Sequence, residues 1–228
     1  MPDPSPPRPL GPASHVFVGT PKTYGTEGGK GFDRPMTTSF FRQPIDGPVT
    51  VGPRGIEGDE VADKKHHGKP DQALLLFAGD EYPRWRDDTG LAAMGPGGFG
   101  ENVVIGGITE ADVCIGDRLR IGTAEFAVAS PRFPCRKIDY RWKQSGLTAR
   151  CAAVGRGGIY VRVIETGTFQ AGDSVMLLDR PAPGVTLNAA ARAAFGPEPY
   201  EDEARRAMEA GVGAPEFLAK VRQRLASL

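Results

Sequence analysis

One short stretch concentrates reactive side chains. In PRFPCRK (131–137) two prolines and two arginines, Arg132 and Arg136, surround a single cysteine, Cys135. Cations beside a thiol favour the thiolate, and prolines keep such a loop out of a sheet ladder. A thiolate displayed on a rigid loop among cations suits a soft metal or an anionic cofactor. The other cysteines, Cys114 and Cys151, stand in apolar or alanine-rich surroundings and read as packing positions. Three cysteines without a CxxC make neither a disulfide framework nor a zinc or dithiol motif. A second stretch, HHGKPDQ (66–72), brings the imidazole of His67 close to the carboxylate of Asp71. It reads either as a metal-ligand pair or as a Pro-Asp turn with a capping histidine. A third, GPGGFG (95–100), satisfies the letters of the dinucleotide fingerprint. Its context does not fit, because that fingerprint must follow a strand and open a helix. Here Pro96 intrudes and the strand-like NVVI follows. There is no GKS or GKT phosphate loop and no GxSxG elbow.

The segments that must position these loops read mostly as short strands. HVFVG (15–19), GPVTV (47–51), ALLLFA (73–78), NVVI (102–105), DRLRI (117–121), EFAVAS (125–130), IYVRVIE (159–165) and DSVMLL (173–178) are short apolar or alternating runs. DEYPRWRDD (80–88) predicts a short helix interrupted near Pro83, and LTARCAAV (147–154) another. Residues 1–14 form a Pro-rich lead expected to be disordered. After about residue 183 the period changes from two to 3.6. Stretches 186–195, 200–208 and 215–228 predict three helices separated by GPEP and GVGAP. The expected organisation is therefore a lead (1–14), a β-rich domain (15–182) and a small, separable three-helix domain (183–228). Polar loops between apolar strands lie at the surface and carry function, so 66–71, 97–102 and 131–136 are expected to meet in one pocket.

Composition removes several classes of function. In 228 residues, 28 Lys and Arg balance 28 Asp and Glu, which argues against a nucleic-acid binder. Gly 31 and Pro 21 favour many turns over long helices. No apolar run approaches the roughly 18 residues of a membrane span, and no signal pattern opens the chain, so a cytoplasmic location is expected.

Five motifs in fixed order, GIEGDEVAD (55–63), HHGKPDQA (66–73), GGFGENV (97–103), CIGDRLRIG (114–122) and PRFPC (131–135), resemble the MOSC family, named for the C-terminal domain of molybdenum cofactor sulfurases. VGTPKTYG (18–25), FFRQPIDGPV (40–49) and the helical end are similar to its stand-alone bacterial YiiM-like branch. The resemblance implies a mixed, β-rich fold: a MOSC β-barrel with a few short helices, then three helices. It implies a molybdenum cofactor (molybdopterin); no flavin, haem, iron–sulfur or NAD site is visible in the sequence. Cys135 would be the catalytic residue and ligate molybdenum or carry sulfur. His67 falls on the family's HGG histidine, with Lys69 in place of the second glycine. Gly100, Glu101, Asn102 and Arg132 fall on cofactor-binding positions, and Asp71 and Arg42 join them, Arg42 being favoured over Lys30.

The activity implied is two-electron reduction of N-hydroxylated bases or related N–O compounds. The partners implied are a separate electron-donating reductase and a small N-hydroxylated substrate; a homodimer is left open. Two other readings stay open from the residues: a non-catalytic cofactor or sulfur carrier using Cys135, and a metal-dependent hydrolase built on His67, Asp71 and Glu101.

Overall fold

The computed structural model describes residues 6–65 and 67–227. Its strands are β1 (Arg8–Val18), β2 (Lys22–Tyr24), β3 (Met36–Thr38), β4 (Gln43–Pro44), β5 (Val49–Gly52), β6 (Gly55–Ile56), β7 (Leu74–Ala78), β8 (Val103–Ile105), β9 (Arg118–Ile121), β10 (Ala124–Pro131), β11 (Ile159–Glu165), β12 (Gly167–Phe169) and β13 (Ser174–Asp179). Its helices are α1 (Glu81–Thr89), α2 (Lys137–Trp142), α3 (Leu147–Val154), α4 (Leu187–Phe195), α5 (Glu201–Ala210) and α6 (Pro215–Leu225).

Seven strands close into a barrel. Their order is β13-β9-β10-β11-β7-β8-β1, and antiparallel pairing of β1 with β13 completes the circuit. β7 and β8 run parallel, and parallel neighbours need a crossover, which here carries α1. The continuous apolar run of β7 is explained by burial on both faces. Leu74, Leu76 and Ala78 enter the barrel core. Phe77 points the other way, into a second cluster with Tyr82, Trp85 and Phe99 beneath α1. Pro83 does not interrupt α1. It lies in the first turn, where the missing N–H would have had no helical acceptor.

The Pro-rich lead is a correction to the sequence reading. Residues from Arg8 onward are not disordered; they form the first half of β1 and pair with β13. Proline lacks a donor but keeps its carbonyl, and Pro12 accepts the N–H of Gly106 at 2.9 Å. A register shift between Pro9 and Gly11 absorbs the mismatch. Residues 1–5 of that lead, and His66, lie outside the described residues.

The three C-terminal helices form as their period predicts, but not as a unit with its own core. Leu187, Ala190, Phe217 and Val221 are buried in the same apolar cluster as Val113, Ile115, Leu119 and Ala129 of the barrel. The main chain also crosses the boundary: the Leu187 N–H donates to Val113 at 2.8 Å and that of Ala214 to Ala129 at 2.7 Å.

Candidate active site

A cavity of about 490 Å³ opens among the loops after β3, β6 and β10. The barrel supplies its floor through Leu75 of β7 and Tyr160 of β11. The loop after β10 brings Arg132 and Cys135, and Lys137 follows as the first residue of α2; the loop after β6 brings His67 and Gly68; Gly100 and Asn102 close another wall. The expected convergence of the three distant stretches therefore occurs, through one or more residues of each.

Cys135 is half-buried and faces this cavity. Its carbonyl accepts the Ile138 N–H at 3.0 Å and the Thr148 hydroxyl at 3.1 Å, which fixes the loop against α2 and α3. The other two thiols are buried, as their apolar neighbours predict. Burial pushes Cys151 up to about 12 and raises Cys114 as well, so neither is a nucleophile near neutral pH.

Arg132 is only 6% exposed, yet no carboxylate pairs with it among the described residues. One guanidinium nitrogen donates to the Phe99 carbonyl, and the group lies 5.3 Å from the Phe40 ring centre. Its Nε is buried without a partner. The hydroxyl of Ser39 and Oε1 of Gln72, on two other cavity residues, are also buried without partners. Buried polar atoms are normally satisfied, so an unsatisfied donor, acceptor and cation around one cavity mark a site shaped for a polar ligand.

Four of the residues singled out from sequence do other work. Arg42 lines the cavity, but Asp59 grips it through two nitrogens at 2.8 and 2.7 Å, and its third donates to the Gly100 carbonyl. Its charge is already matched. Asn102 also lines the cavity, but its amide is committed to main chain: Oδ1 accepts from Leu75 at 3.1 Å and Nδ2 donates to Phe17 at 3.3 Å. It brackets β1 against β7. Glu101 is fully buried and does not line the cavity. Its carboxylate accepts the Tyr82 hydroxyl and the N–H groups of Gly97 and Phe99, so it holds the glycine loop closed. Burial, with that carboxylate beside it, raises the Tyr82 phenol far above its ordinary range. Asp71 pairs with Arg162 at 3.3 Å and lies outside the cavity wall. His67, Asp71 and Glu101 thus do not converge, and the hydrolase arrangement is not formed.

Gly100 explains the close fit of this wall. It has φ of +68°, and a Cβ there would stand 2.9 Å from the Phe40 ring.

Sequence reasoning missed Ser39, Gln72, Tyr160 and three cations of the wall, Arg54, Lys64 and Lys137. None of these cations has a carboxylate partner among the described residues. Lys137 was within reach, since it belongs to PRFPCRK; the others carry no local signal. Tyr160 is an alternate position of β11, and which face a strand turns to a cavity depends on the barrel. Burial raises its phenol, with the cations of Arg132 and Arg42 opposing.

The MOSC domain family model matches residues 63–176. Protein YiiM of Escherichia coli K12 is 35% identical over 162 residues, covering 70% of this chain and 71% of that one. A protein named Reductase from Gibberella moniliformis is also 35% identical over 151 residues, 65% of this chain, but the match spans only 27% of that protein's length. The crystal structure of YiiM from Geobacillus stearothermophilus shares the fold, with a TM-score of 0.72 at 24% identity over 94% of this chain and 98% of that one. With its closed barrel, its cysteine loop on the cavity and this match over half its length, the chain belongs to the MOSC domain family and is YiiM-like.

Proposed function

We propose that the cavity binds molybdenum cofactor and that the protein, in the cytoplasm, reduces N-hydroxylated bases or related N–O compounds with electrons from a separate reductase. The single observation that carries this reading is the pairing of a half-buried thiol, Cys135, with a buried, carboxylate-free guanidinium, Arg132, on one cavity. A thiolate suits a soft metal centre. A desolvated guanidinium suits a phosphate or other oxyanion, which it can bind through two nitrogens. The unsatisfied Ser39 hydroxyl and Gln72 carbonyl oxygen offer one donor and one acceptor to the edge of a planar heterocycle. The reductase relative and the family support the same direction.

When bound, the cofactor supplies a two-electron redox centre able to accept oxygen. Cys135 would hold the metal, with Arg132, Ser39 and Gln72 holding the organic part. In the overall reaction an N–O bond breaks, two electrons and two protons enter, and an amine and water leave. Tyr160 is suited to donate a hydrogen bond from Oη to a bound oxygen, because burial keeps its phenol protonated. Arg54, Lys64 and Lys137 give the wall a positive field that favours anionic groups on either ligand.

The test is reduction of a hydroxylamino-purine by protein made in a host that assembles the cofactor, with a chemically reduced dye as donor. Turnover that tracks molybdenum content and is lost in Cys135→Ala is expected. Equal turnover by Cys135→Ala, or by molybdenum-free protein, would overturn the reading.

A further inference from the structure

The C-terminal helices touch the site at two points. Phe195, the last residue of α4, meets Phe133 edge to face, with ring centres 5.0 Å apart. Phe133 stands two residues before Cys135, and Pro134 stiffens the backbone between them. Glu216, in the first turn of α6, pairs with Lys69 at 2.5 Å. Lys69 follows His67 and Gly68 of the cavity wall and precedes Gln72, another wall residue. Each loop is also held by the barrel. The Arg132 N–H donates to Gly158 at 2.8 Å, and Asp71 pairs with Arg162 of β11. Both loops are therefore tied to the barrel and to the helices.

Neither contact is required to dock the helices, which already bury Leu187, Ala190, Phe217 and Val221 in the common core. We propose that Phe195 and Glu216 are positioning residues of the site: Phe195 sets the loop that presents Cys135, and Glu216 sets the loop that presents His67 and Gln72. The three helices are then a brace for the reactive loops rather than an appendage. This rests on the reading of the cavity as the functional site, but not on the identity of what fills it.

Thiol chemistry tests the first contact without any cofactor. Cys114 and Cys151 are buried, so alkylation of the native protein by iodoacetamide reports Cys135. Phe195→Ala is expected to raise that rate by about three-fold or more, the scale of one aromatic pair, and Phe195→Leu to restore most of the difference. Met208→Ala on α5 serves as the control, because Met208 packs on the shared core. It should lower the melting temperature without changing the alkylation rate. Hydrogen exchange tests the second contact. Glu216→Lys should speed exchange of the amides of 67–72 by about two- to five-fold, the scale of an exposed ion pair, and the swap Lys69→Glu with Glu216→Lys should restore it. A Phe195→Ala protein that melts lower with an unchanged Cys135 rate would overturn the first assignment. A swap that fails to restore protection would overturn the second. Absence of molybdenum from the protein would defeat the proposed function and leave both measurements unaffected.

Discussion

Arg132 shows how a single residue separates stability from function. A buried guanidinium without a carboxylate is a cost to the fold, since its hydration is lost and only a carbonyl and a ring face replace it. A ligand anion would offset that cost. Glu110 is the opposite case, a buried carboxyl that avoids ionising. Burial dominates, with nearby Glu81 adding to it, and together they outweigh the two N–H donors of Gly157 and Gly158, raising the carboxyl to about 8. Its other oxygen is buried without a partner. The unfolded chain releases this proton near 4.5, while the folded chain keeps it until about 8. The folded state therefore binds more protons across that window, and Glu110 makes stability fall as pH rises through it. In Glu110→Gln the Oε1 acceptor for both glycines survives and the titration is gone. Melting temperatures measured across the window should decline less steeply in Glu110→Gln than in the natural protein. An identical slope would show that Glu110 is ionised in the fold.

At the scale of elements, the glycine loop before β8 depends on one carboxylate. Glutamine at Glu101 would keep one oxygen for three donors and add an N–H₂ group where an acceptor is needed. Leaving one buried donor unsatisfied costs roughly 1–3 kcal/mol, so Glu101→Gln should melt lower and expose the loop to hydrogen exchange at Gly97–Phe99. Retained exchange protection would contradict this role. Much of the element pattern was legible: β11 and α3 match their predicted spans residue for residue, because alternation and helical period each had an apolar face to report. Less legible was α2, six residues long and too short to show a period, although it seats the loop of Cys135. The first half of β1, from Arg8, was misread because proline suggests disorder, whereas a bulged strand tolerates it. At the site, residue types pointed to Cys135, His67 and Arg132, which do meet. They could not distinguish Arg42 from Arg132, because what separates the two is Asp59 beside one of them, a contact 17 residues away in sequence.

The molecule as a whole is one barrel whose core continues into the C-terminal helices, so its parts should not be separable. A chain ending near Asp179 would uncover Val113, Ile115 and Ala129 and lose the Leu187 and Ala214 hydrogen bonds. It should fail to give a cooperative melt; a truncated barrel that unfolds cooperatively near the natural temperature would contradict the shared-core account. The same closure brings Cys135, His67 and Arg132 together from far apart in the chain, and the central claim is that this assembly holds molybdenum cofactor. The most direct test is elemental and pterin analysis of the protein purified from a cofactor-producing host, beside Arg132→Met and Cys135→Ala made in the same way. About one molybdenum and one pterin per chain are expected for the natural protein, as for a single thiolate-anchored centre, with both sharply reduced in Arg132→Met and molybdenum reduced in Cys135→Ala. A natural protein that carries neither, or variants that load as fully as it does, would contradict the claim.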